Sequence, residues 1–315
     1  MALHQASGRW RRGLLLAGVT AACWATLPVA LKLTLEQLDP ITLTWFRFVI
    51  AAAVVGGWLA AGGGLRQFAR LDRRGWALLV VAAFMLIGNY VFYLLGVQHT
   101  SPANAQLLIQ LAPLLMALGG ILVFREPYRL GQWCGMAITA LGLGLFFRDQ
   151  LAGHTIPVHA YLVGSGAVIV AAMVWATYAL IQKQLLLRLS SPAILLAIYI
   201  VASVVLLPLS QPWTLPAMDF RHWLLLGYCA LNTLVAYGAF AEALEHWEAS
   251  RVSAILAVTP LLTILVVACV RLLWPNVIAL EHVSAWGFIG AGLVVAGSAM
   301  SSLLGAARKE PSDGE

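Results

Sequence analysis

Two ionisable side chains fall inside long apolar stretches, Arg47 and Glu242. A charge at bilayer depth is costly, so each is a functional candidate by default. Arg47 has two open readings: it snorkels to an interface or pairs with a loop carboxylate, or it meets a carboxylate on a substrate. Glu242 is followed by Glu245 and Glu248 at helical spacing, beside His246 and Arg251. The group reads either as a solvated helix end or as a proton-coupling or cation-binding site. Lys32 and Lys183 stand at the ends of apolar runs. There a cation complements the helix dipole, or it gates by pairing in one state only. Trp24 and Trp175 lie mid-run, where an indole N–H needs a partner. They either pack between helices or line a cavity for an aromatic or amphipathic substrate.

Uncharged polar groups form a larger constellation. Asn89, Tyr90 and Tyr93 lie in one run, Gln106 and Gln110 in the next, and Tyr178, Asn232, Tyr237 and Ser253 in later ones. Asn89 and Tyr93 are one helical turn apart, as are Gln106 and Gln110. Such groups have no place against lipid, so they face protein or a wet cavity. A cavity built from them holds few formal charges and suits a neutral or zwitterionic solute. Pro113 and Pro260 sit mid-run and are candidate hinges. No HExxH and no pair of mid-run aspartates occurs, so no enzyme is expected, and no metal site or cofactor. No P-loop is present, so no ATP is expected as a partner.

The elements that must position these groups follow from composition. Of 315 residues, 61% are apolar and 10% charged, with a formal net charge of +6. A typical soluble domain is about 25% charged. An ordinary soluble enzyme, a disordered chain and a disulfide scaffold are therefore excluded. The fold class expected is an all-α polytopic membrane protein, its lipid bilayer a partner, with no nucleic-acid role for its basic charge. Ten apolar runs are expected as helices, over 13–31, 42–61, 75–97, 103–124, 131–147, 158–181, 193–209, 223–244, 252–273 and 284–304. Residues 1–12 precede them, 148–157 connect two halves, and 305–315 form a tail. The first run is too long for a signal-peptide core. Cys23, Cys134, Cys229 and Cys269 all fall in apolar runs and read as buried small residues.

With the N-terminus inside, fourteen of the nineteen Lys and Arg residues fall in inside segments and four outside, leaving Arg47 within a span. The positive-inside rule then places both termini in the cytoplasm, in the plasma (inner) membrane of a cell. Eight tryptophans near run ends, at 10, 58, 76, 133, 213, 223, 274 and 286, fit an interfacial belt.

The halves repeat. Trp24-x7-Lys32 matches Trp175-x7-Lys183, and His99 and His246 each precede a proline, Pro113 or Pro260, by fourteen residues. Glu126 and Glu281 are each followed by glycines nine and sixteen residues on, Gly135 and Gly142 or Gly290 and Gly297. Residues 13–147 and 158–304 are thus two five-span units. An odd span count inverts the second unit in the membrane, the architecture of alternating access with a site between halves. The glycine rows allow close helix packing, within a monomer or across a homodimer.

With Ser101-Pro102-Ala103-Asn104-Ala105, Ala249-Ser250-Arg251 and the Pro40 and Arg47 pair, these motifs carry a family resemblance. From about Gly13 to Leu304, the chain resembles the EamA-type members of the drug/metabolite transporter superfamily. The resemblance implies ten helices, a central cavity and transport of small metabolites. The function expected is export of amino acids or related compounds. A proton-coupled multidrug or toxic-cation exporter is the alternative, and a membrane scaffold or intramembrane enzyme a distant one. Two positions depart from the repeat: Tyr199 stands where Arg47 would recur, and Glu242 stands opposite Leu95.

Overall fold

The computed structural model describes residues 9–124, 128–152, 157–246, 249–275 and 283–305. Glu126, Glu281 and the side chains of Glu245, Glu248, Arg251 and Ser253 lie outside the described residues. The helices are α1 (Trp10–Thr34), α2 (Pro40–Ala61), α3 (Arg73–His99), α4 (Pro102–Leu108), α5 (Leu111–Phe124) and α6 (Leu130–Ala152). The second half follows with α7 (Val158–Leu185), α8 (Ser191–Leu206), α9 (Phe220–His246), α10 (Ala249–Leu256), α11 (Thr259–Leu273) and α12 (Ala285–Gly305). No strand occurs among the described residues. These helices form ten apolar spans, because α4 with α5 and α10 with α11 each make one.

The two divided spans differ from the continuous helices expected, and proline explains both. Pro113 has no N–H for the Ile109 carbonyl, and its ring crowds that turn. The chain tightens instead: Gln110 N bonds Leu107 O at 3.1 Å and Ala112 N bonds Ile109 O at 2.9 Å. In the other half Pro260 deprives Leu256 O of its donor, and the Thr259 hydroxyl takes it at 2.6 Å. Gln110 consequently sits in a helix break, not a turn below Gln106 on one continuous face. Elsewhere the starts are capped conventionally. Asp39 accepts from Ile41 N and Thr42 N ahead of Pro40, and Ser101 accepts from Asn104 N ahead of Pro102.

The main helix pairings persist when the halves are exchanged. Helix α1 lies on α9 as α7 lies on α3, while α2 lies on α8 and α6 on α12. Helices in lipid gain no hydrophobic term by pairing, so close contact must hold them. Between α6 and α12 that contact is backbone on backbone. A Cβ on Gly135 would stand 2.7 Å from Gly297 O, and one on Gly142 would stand 2.6 Å from Gly290 O. The glycine rows therefore serve packing inside one chain. Gly135 meeting Gly297 and Gly142 meeting Gly290 also makes the two helices antiparallel. Helices α2 and α8 are antiparallel too, since Trp45 Nε1 donates to Ser203 O and Gly56 meets Leu196. Equivalent helices thus run in opposite directions, as an inverted repeat requires.

The outside of the bundle is apolar. All eight tryptophans at run ends are exposed, whereas Trp24, Trp45 and Trp175 are half-buried. Cys229 is buried, but Cys134 and Cys269 are exposed, against the expectation for all four cysteines. Both lie on helix faces turned outward, where a thiol is apolar enough for lipid.

Candidate functional site

Where the halves meet, α3 and α9 present equivalent tyrosines. Both helices have 27 residues, and an offset of 147 maps Tyr90 onto Tyr237. The two side chains lie close enough to interact where the halves meet. Around them gather Tyr178 from α7 and Tyr199 from α8, both within electrostatic reach of Tyr90. Phe48 joins the group, with ring centroids 4.6 Å from Tyr90 and 5.5 Å from Tyr199.

Arg47 enters this cluster from α2 and is 3% exposed. Its Nε and Nη2 donate to the Thr233 hydroxyl at 3.2 and 2.9 Å, and its Cζ sits 4.9 Å above the Tyr90 ring. It neither snorkels nor pairs with a loop carboxylate: among the described residues no carboxylate lies within ion-pair distance of it. One hydroxyl and one aromatic face are incomplete compensation for a buried cation.

On the α1 side, Trp24 makes an edge contact with Tyr237 at 5.9 Å and a tilted one with Phe240 at 5.8 Å. Asn232, 3% exposed, donates its amide to Cys23 O at 2.8 Å and to the Tyr228 hydroxyl at 3.0 Å. Its Oδ1 is buried and has no hydrogen-bond partner among the described residues. Tyr93 lies within electrostatic reach of Arg47 and donates to Gln106 Oε1 at 2.8 Å, bringing α4 to the cluster.

The centre therefore unites Trp24, Arg47, Tyr90, Tyr93, Gln106, Tyr178, Asn232 and Tyr237. Other expected site residues lie elsewhere. Asn89 donates to Ala171 O at 3.0 Å and fastens α3 to α7. Trp175 is not apart from the centre: it packs against the core of α2, α3, α7 and α8 that holds Phe48, Tyr90, Tyr178 and Tyr199. Pro113 is exposed and Pro260 buried, so the two breaks are not equivalently placed. Glu242 is about half exposed, 3.7 Å from His246 Nε2, as a solvated helix end would be. Lys32 donates to Val97 O, Gln98 O and Thr100 O, closing the C-terminus of α3. Lys183 has a partner of its own.

Thr233 and Phe48 belong to the centre and were not singled out from sequence, and Tyr199, which stands where Arg47 would recur, joins them. A threonine in an apolar run ordinarily bonds its own helix, and Thr233 does so at Cys229 O as well. The repeat offered the missing signal. Met85, Leu86 and Tyr199 occupy the positions equivalent to Asn232, Thr233 and Arg47. One wall of the centre is polar where its counterpart is apolar or neutral. A groove of about 300 Å³ lies away from it, on the outer wall between α3 and α7, lined by Phe92, Leu95, His99, Val163, Ala167 and Val170. It contains none of the central residues.

Ten apolar spans packed around a buried polar centre define the class as a polytopic helical membrane protein. The EamA-like transporter family model matches residues 11–148 and again 162–303, and the chain belongs to that family. It is 37% identical over 294 residues to "Uncharacterized inner membrane transporter YhbE" of Escherichia coli strain K12, covering 92% of this chain and 91% of that one. It is 31% identical to an "Uncharacterized transporter" of Haemophilus influenzae, over 92% and 94% of the two chains. A "Probable amino-acid metabolite efflux pump" of Escherichia coli strain K12 is 23% identical over 91% and 93%. A crystal structure superposes with a TM-score of 0.64 at 22% identity, covering 97% of this chain and 100% of that one, which bears on fold alone. The protein is a multi-pass membrane transporter of the drug/metabolite transporter superfamily, not an enzyme.

Proposed function

We propose that the protein exports amino acids or closely related carboxylated metabolites across the inner membrane by alternating access between its two halves. The observation that carries the proposal is Arg47, a buried cation at the bundle centre with no anion beside it among the described residues. A substrate carboxylate would supply the two acceptors that a guanidinium fork is shaped to meet. Packing alone does not demand this charge, since the equivalent position holds Tyr199 in similar surroundings. The relatives named as an inner membrane transporter and as an amino-acid metabolite efflux pump support the location and the direction. The excess of basic residues in alternate loops supports cytoplasmic termini.

Both halves would contribute. Tyr90 and Tyr237 lie where the halves meet, and rocking of one half against the other would open the centre to either side in turn. Cation export is the weaker reading, because Arg47 repels a cation and Glu242 lies half exposed at a helix end.

The test is uptake and counterflow of labelled amino acids in proteoliposomes, with and without a pH gradient. Saturable flux that falls at least about a hundredfold in Arg47→Gln is expected, as for loss of a buried charged pair. Absence of saturable flux of any amino acid by folded protein refutes the proposal, as does full activity in Arg47→Gln.

A further inference from the structure

The polar wall has a second unfilled group. Asn232 is buried, and its Oδ1 accepts from no donor among the described residues. The amide orientation is fixed by chemistry. Its nitrogen faces the Cys23 carbonyl, which can only accept, so flipping the amide would set oxygen against oxygen. The orphan is therefore an acceptor, not an ambiguous amide end. A buried acceptor without a donor is costly and calls for an explanation.

A second acceptor lies close by in the chain. Pro28 stands inside α1, four residues after Trp24. It has no N–H to give the Trp24 carbonyl, which loses its helical donor. Asn232 is tied to Cys23, the residue next to Trp24, where α1 packs on α9. Arg47 is held by Thr233, the residue next to Asn232 in α9. Consecutive residues of one helix thus hold a donor-rich cation and carry an unfilled acceptor. Met85 and Leu86 fill the equivalent places in α3, which shows that a helix can pack there with neither group.

We infer that Asn232 Oδ1 and the Trp24 carbonyl receive the ammonium group of a zwitterionic substrate whose carboxylate meets Arg47. The site then reads both poles of a free amino acid. It rejects carboxylates that lack the amine, because their binding would leave the buried Asn232 acceptor empty. This rests on the carboxylate reading of Arg47 and adds the residue that selects among carboxylates. Trp24, Tyr237 and Phe240 stand beside the acceptor pole and suit an aromatic side chain.

The experiment is equilibrium binding to the full chain in lipid nanodiscs with three matched probes: L-phenylalanine, 3-phenylpropanoate and 2-phenylethylamine. L-Phenylalanine binds at least about tenfold more tightly than either analogue, the loss expected for one missing hydrogen bond to a charged group. Asn232→Met, which installs the residue of the equivalent position, brings phenylalanine and phenylpropanoate to within about threefold of each other. The probe series on the unaltered protein stands by itself should that variant not fold. Equal binding of phenylalanine and phenylpropanoate overturns the acceptor pole and leaves the carboxylate reading intact. Binding of none of the three overturns both. Discrimination that vanishes when choline replaces sodium assigns the acceptors to a metal cation and overturns the ammonium assignment.

Discussion

The contact between α6 and α12 makes a sharp prediction at Gly142. A Cβ there would stand 2.6 Å from Gly290 O, 2.7 Å from Val294 N and 2.9 Å from Leu293 Cβ. The first two are backbone atoms and cannot rotate away. Restoring ordinary contact moves the helices apart by roughly 0.5–1 Å, a gap that forfeits a quarter to a half of each contact well. Gly142→Ala should therefore cost about 1–3 kcal/mol, the usual range for overpacking. A Cβ on Gly144, in the same helix, would meet nothing within 4 Å. Gly144→Ala should be neutral or stabilise by about 0.5–1 kcal/mol, because alanine orders a helix at less entropic cost. Thermal unfolding of the purified protein in one detergent, followed by circular dichroism, separates the two. At about 2–4 °C per kcal/mol the gap is several degrees. Gly290→Ala meets Gly142 O at 2.8 Å across the same contact. The double variant should thus cost less than the sum, since helices already parted admit the second methyl. Equal melting of Gly142→Ala and Gly144→Ala would refute the backbone contact, and with it the antiparallel pairing drawn from it.

Three further outcomes are expected. Glu242→Gln should leave transport and its pH dependence unchanged in proteoliposomes, because the carboxylate is half exposed and away from the centre; loss of either would restore the proton-coupled reading. Lys32→Met frees three carbonyls at the end of α3 and should raise amide exchange over residues 100–105 while lowering stability by about 1–3 kcal/mol; unchanged exchange would deny the cap. Outside the spans, a hydrogen bond from Arg188 and then the Gly75 N–H hold the Asp72 carboxyl below its ordinary 3.8. Its contribution is complete above that value and is lost as pH falls through the lower folded one. Asp72→Asn should flatten acid unfolding in that window, and an unaltered acid limb would deny the pair a role.

Much of this could be read along the chain. Ten spans followed from apolar run length, since a bilayer imposes a fixed thickness. The breaks in spans four and nine were marked by Pro113 and Pro260, although the sequence suggested kinks where the structure has separate helices. Trp24, Tyr90, Tyr93, Gln106, Tyr178, Asn232 and Tyr237 were legible as polar groups with no place against lipid. Asn89 carried the same signal and proved to be a fastening between helices. Hydrogen bonding across helices and lining a site call for the same residue types.

By itself the sequence determined the span count, the repeat and the short set of intramembrane polar groups. These depend on local composition and on spacing within one chain segment. Only the tertiary structure decided which groups share a centre. Arg47, Thr233 and Tyr90 come from three helices, and their meeting depends on how α2, α3 and α9 cross. It also decided that the glycines of α6 and α12 meet each other. Most of all, it left Arg47 without an anion and Asn232 Oδ1 without a donor among the described residues, and a missing partner is a property of the whole packed fold, never of a residue's spacing.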